Sequence, residues 1–195
     1  MKFSVPLPSR VSLCTVIAVQ IMAFMAGVVF APQVTNPNWE YASWLPESFH
    51  KIRNHRDKPY IAREVPVEVR HKRFLHFVMH NSLATAELLF YGLCLFIYPA
   101  TNVALLGFFV GVFYWSTGSP GLFMRFILPH GLVEIPFAIY AAALGQTSGW
   151  KWLSAGAGRR WTQFKLQAAA NARAALVLFP LVVIAALLEA YVTKR

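Results

Sequence analysis

A chain of 195 residues is long enough for one domain, but 57% of it is apolar and only 13% charged, against about 25% charged in soluble domains. A core of that size cannot hide the excess, and its gathering into long apolar runs excludes a water-soluble fold in favour of an integral membrane protein. The net charge of +10 sits in stretches beside those runs, where anionic lipid or the positive-inside bias accounts for it, so no nucleic-acid partner is expected.

The apolar pattern predicts spans over residues 11–31, 75–98, 100–117, 128–146 and 174–192. The fold class is therefore all-α, a multi-pass transmembrane helical bundle of about five spans. Residues 1–31 form the N-terminal transmembrane helix, read as uncleaved because its apolar run is too long for a signal-peptide core. Residues 32–73 form a basic extramembrane segment with Pro32, Pro37, Pro46, Pro59 and Pro66, against which a long helix is not expected. Trp39, Tyr41, Trp44 and Phe49 place part of it at the interface, and alternation over 61–69 predicts a short extended piece.

Residues 74–195 make the main bundle. Tyr98, Pro99 and Ala100 are expected to form a tight hairpin between the second and third spans, with Asn102 capping the third. Gly107 and Gly111 give a GxxxG on the third span, which lets another helix, in this chain or a second copy, approach closely. The stretch 147–173 carries Trp150, Trp152, Arg159, Arg160, Trp161 and Lys165 with no acid. It is expected to hold an amphipathic helix over about 159–173, lying on the membrane surface or against a partner. The segments 32–73 and 147–173 fall on opposite sides, with eight and five Lys+Arg, so charge alone does not separate the faces; a cytoplasmic N-terminus is the expected orientation. Cys14 and Cys94 lie within apolar runs and are read as small packing residues.

The chemistry is concentrated in the fourth span. His130 and Glu134 are four residues apart, so one helical face presents both. Pro129 suits the first helical turn, Gly131 opens the surface to a neighbouring helix, and Pro136 is expected to kink the span. Of the eight acids, Glu87, Glu134 and Glu189 fall within predicted spans, where a carboxylate must face protein or a wet cavity. His76, His80, Asn81 and Glu87 share the second span, and Asn81 or His80 is a candidate partner for the His130–Glu134 pair.

Three readings follow. The first is a buried polar joint that holds the bundle together. The second is an ion or proton site on the carboxylates. The third, a metal-dependent hydrolase, needs a further ligand near His130, for which His80 and Glu189 are the candidates. HxxxE alone falls short of a hydrolytic zinc signature, and no nucleophile elbow, phosphate loop or CxxC is present, so neither catalytic residue, nor metal, nor cofactor is expected.

The stretches HNSLATAELLFYGLCLFIYPATNVALLGFFVG (80–111), LPHGLVEIPFAIYAAALG (128–145) and LFPLVVIAALLEAYVTKR (178–195) together resemble the stage II sporulation protein M family of multi-pass membrane proteins. The PHG-to-EIP stretch is the specific part, and Asn81, His130, Gly131, Glu134, Pro136 and Glu189 are the positions that match. The chain departs from the family at His80-Asn81, where a paired asparagine is common, and at Leu106-Gly107, where Asn-Gly is common. The resemblance implies a helical membrane fold and, from the namesake, action within a membrane complex. The expected function is a non-catalytic multi-pass subunit or scaffold in the cell (cytoplasmic) membrane, with an ion- or proton-conducting subunit as the alternative. Its expected partners are membrane lipids and other membrane-protein subunits, a second copy of the chain among them.

Overall fold

The computed structural model describes residues 13–35, 66–95, 97–117 and 120–192. Among these the chain is almost wholly helical and has no strand, with α1 over Leu13–Thr35, α2 over Val67–Cys94, α3 over Tyr98–Thr117, α4 over Pro120–Leu153 and α5 over Arg160–Leu187. A short 3-10 turn, Ala157–Arg159, precedes α5, and a π-helical turn, Leu188–Val192, ends it. The interfacial residues expected at 39–49 lie outside the described residues. The extended piece expected over 61–69 is not strand where it is described, because Val67 to Val69 open α2 behind Pro66.

Among the described residues four helical segments are long and apolar enough to cross a bilayer: Leu13–Ala31, Tyr98–Trp115, Ile127–Leu153 and Ala157–Val192. At about 1.5 Å per residue, α2 has the length to cross as well. Its apolar run is diluted by His76, His80, Asn81 and Glu87. Packing against α4 and α5 buries Asn81 and partly covers Glu87, whereas His76 and His80 remain exposed.

Contacting residue pairs give the helix directions. Gly107 meets Phe24, and Gly111 meets Val28 and Ala31, so α1 and α3 run parallel. Gly145 meets Leu88, and Gly149 meets Gly92, so α2 and α4 run parallel. Asn171 bonds to Leu89 and Tyr191 packs on Phe74, so α5 runs against α2. Among the described residues the five helices thus alternate in direction. One end of the bundle gathers the end of α5 and the starts of α2 and α4; the other gathers the end of α4 and the start of α5.

The close approaches are made by glycine. At Gly27 an added Cβ would fall within contact distance of the Ala104 carbonyl, and at Gly107 within that of Phe24. The GxxxG of α3 therefore serves an internal contact with α1. Between α2 and α4, Gly92, Gly145 and Gly149 do the same. The core fills in with Leu88, Leu89, Val103, Phe137, Ala141, Ala142 and Val182.

Several boundaries differ from those the sequence implied. Pro129 does not open a helix: α4 begins at Pro120, and both Pro129 and Pro136 lie inside it. Prolines are tolerated in membrane helices because surrounding protein can re-satisfy the freed carbonyls. Pro99 is not the hairpin turn, which comes after α2 ends at Cys94 and before α3 begins at Tyr98; Pro99 sits in the first turn of α3, where its missing N–H costs nothing. Asn102 lies within that helix and donates to the Tyr98 carbonyl at 3.1 Å, so it is not the cap. The amphipathic helix expected over 159–173 is not a separate surface element. It is the first half of α5, and Asn171 within it is buried at 2% exposure.

Candidate functional site

Near the end of the bundle that holds the start of α2, three chemistry-bearing side chains converge. His130 and Glu134 project from adjacent turns of α4, and Glu189 comes from the π-helical turn after α5. One ligating atom from each lies within 4.8 Å of the others. His130 is buried at 6% exposure, whereas the two carboxylates are half-buried. Each of the three is engaged by neighbouring groups. A π turn shifts the phase of a helix by about one residue and occurs often at functional sites. Here it falls on the turn that presents Glu189 to α4.

The electrostatics restrict what this cluster can be. Two ionised carboxylates at that separation repel by about 3–4 kcal/mol at an effective dielectric near 20. Low-dielectric surroundings let both stay charged only if a positive group joins them. An imidazolium, a proton or a bound cation meets that need. Depth eases it in part: Glu134 lies seven residues into the apolar segment Ile127–Leu153, roughly 10 Å along the helix, and Glu189 lies near the other segment's end.

The remaining polar candidates make other contacts. Asn81 is buried, its side-chain NH2 has no hydrogen-bond partner, and its backbone carbonyl accepts from Thr85 Oγ1 at 2.7 Å. Glu87 is half-buried and accepts from the Tyr98 hydroxyl at 3.2 Å, which ties α2 to the start of α3. His80 is exposed, stacks on His76 with ring centroids 6.2 Å apart and is not one of the converging three. Gly131 is buried, but an added Cβ would meet only Ile127 and Ile135 of its own helix, so it brings no neighbouring backbone close.

The tryptophan-rich, basic stretch divides at the turn between α4 and α5. Trp150 and Trp152 belong to α4, and the Trp152 indole N–H donates to the Leu93 carbonyl. Trp161 is exposed, stacks on Phe164 at 5.5 Å and carries Lys165 Nζ 5.1 Å above its ring. Arg159 and Arg160 are exposed, and Arg160 Nε donates to the Ala155 carbonyl at 3.3 Å.

Sequence reasoning passed over a second polar set. Gln20 of α1 is fully buried and donates its amide to Gln146 Oε1 of α4 at 2.7 Å. Ser148 of α4 donates to Asn171 Oδ1 at 2.8 Å, and Asn171 Nδ2 donates to the Leu89 carbonyl at 2.7 Å. The signal was present, since Gln20 interrupts an otherwise apolar run, but a neutral amide draws less notice than a charge.

The family model described as Stage II sporulation protein M matches residues 12–194, nearly the whole chain. Comparison with curated proteins and with solved structures yields no match.

Proposed function

The chain belongs to the stage II sporulation protein M family, a helical membrane protein by its apolar helices, and from that premise we propose that it is a non-catalytic subunit or scaffold of a membrane complex. The observation that carries the reading is the convergence of His130, Glu134 and Glu189 between α4 and the end of α5. Polar groups that meet within lipid hold helices in one arrangement, because separating them would expose each to hydrocarbon. The bundle then offers a fixed outer surface. Its exposed apolar side chains, such as Met22, Val29, Phe30, Leu176 and Val177, suit lipid or the helices of partner subunits in the cell membrane.

Gentle purification of the intact assembly tests this directly, with co-purifying chains identified and His130→Ala and Glu134→Gln compared with the wild type. The expected result is a defined set of partner chains that is lost or diminished in both variants. Normal assembly with altered ion flux in reconstituted vesicles would instead identify an ion- or proton-conducting subunit.

A further inference from the structure

We propose that His130, Glu134 and Glu189 form a binding site for one divalent transition-metal cation of the zinc class. The site deepens the joint described above and rests on the same convergence of α4 with the end of α5.

The donor set fits first by chemistry. One imidazole and two carboxylates are the nitrogen and oxygen ligands that zinc takes, at about 2.0–2.2 Å, and a three-ligand set leaves a fourth position for water or another group. Spacing supports it. Three donors no more than 4.8 Å apart all lie within about 2.8 Å of a common point (the largest separation divided by √3), so inward rotamer shifts of under about 1 Å close the site. His130 and Glu134 lie one turn apart on a single helix, which fixes two ligands on one rigid element.

Charge balance supports it independently. Two carboxylates, a neutral imidazole and a divalent cation sum to zero. The occupied site is therefore neutral where lipid surroundings penalise a net charge, and the carboxylate repulsion becomes an attraction to the metal. Burial is graded across the set: the imidazole is 6% exposed, while the two carboxylates are only partly buried and lie near the bundle end. The π turn that carries Glu189 is then explained as the feature that brings the third ligand into register.

The test uses the full chain in detergent, with His76 and His80 changed to alanine in every sample to remove adventitious binding at that exposed pair. The protein is stripped with a chelator and titrated with Zn2+ alone against a competing chromophoric chelator. The expected result is one zinc per chain, with affinity lowered by about 100-fold or more in His130→Ala and in Glu189→Gln, since even outer-shell changes cost 10–100-fold. A folded variant that binds as the parent does would overturn the site, as would a parent that takes up no stoichiometric zinc.

Should a variant fail to fold, pulsed electron paramagnetic resonance of the Cu2+-loaded parent reads the ligands without mutation. One coordinated imidazole is expected, and none, or two, sinks the proposal. A chain that binds no zinc yet still co-purifies with partners removes the metal and leaves the assembly reading. A zinc-loaded chain without partners does the reverse.

Discussion

Asn171 of α5 donates its side-chain amide to the backbone carbonyl of Leu89 on α2, 2.7 Å away, while its own oxygen accepts from Ser148 of α4. One buried amide therefore joins three helices. Leu89 and Asn171 are both almost wholly enclosed, so neither group has water as a substitute.

Replacing Asn171 with leucine removes both bonds and leaves the Ser148 hydroxyl without that acceptor. Interhelical hydrogen bonds in membrane proteins average about 0.6 kcal/mol and reach about 1.7. A loss of about 1–2 kcal/mol is expected in reversible unfolding by denaturing detergent, with Ser148→Ala costing less. Additive losses in the double variant would show that the two residues do not act as a pair.

The glycine contacts make a sharper prediction. At Gly107 a methyl group would fall against the backbone of Phe24, which cannot move without separating α1 from α3. Gly107→Ala and Gly27→Ala are expected to destabilise by about 1–3 kcal/mol through overpacking. Gly131→Ala meets only the side chains of Ile127 and Ile135, the nearer at 3.0 Å, and gains helix propensity, so its net effect should stay within about 1 kcal/mol. Thermal melting of the three variants in one detergent separates them, and equal losses at all three positions would contradict the packing described.

Much of this fold could be read from the order of apolar and polar residues. The runs around 13–31, 98–115 and 127–153 mark spans because hydrocarbon admits little else. Proline was the misleading sign. Pro99 and Pro129 look alike in sequence, yet one lies in a first helical turn and the other deep inside a helix, and only the surrounding bundle decides which is tolerated. The pairing of His130 with Glu134 followed from helical spacing alone, whereas the arrival of Glu189 depends on how α5 packs and on its π turn. Asn171 was hidden among basic residues that read as surface, because local composition does not reveal that a helix continues into a span.

Glu87 and Tyr98 offer a test of the hairpin between α2 and α3. The hydroxyl donates to the carboxylate at 3.2 Å, and both groups are only partly enclosed. Tyr98→Phe is expected to cost about 1 kcal/mol, and Glu87→Gln less, because the amide oxygen can still accept. Neither change should disturb the distant His130 cluster. Loss of assembly in Tyr98→Phe at unchanged thermal stability would assign the pair a role beyond holding the turn.

The last prediction concerns the opposite end of the bundle from the His130 cluster. Trp152 near the end of α4 donates its indole N–H to the Leu93 carbonyl near the end of α2, and its ring meets Phe164 of α5 edge-on at 5.7 Å. The indole therefore holds three helix ends through one polar and one aromatic contact. Trp152→Phe keeps an aromatic ring, though a smaller one, and deletes the donor, so the expected cost is about 1–2 kcal/mol and local. Hydrogen exchange at residues 92–97 should quicken several-fold, with exchange around 130–134 unchanged. Trp161→Phe serves as the comparison, since that ring is exposed and offers its face to Phe164 and Lys165 without an indole bond to α2. It should leave both regions as they are, and faster exchange at 92–97 in Trp161→Phe would mean that the helix ends are held by ring stacking, not by the indole bond.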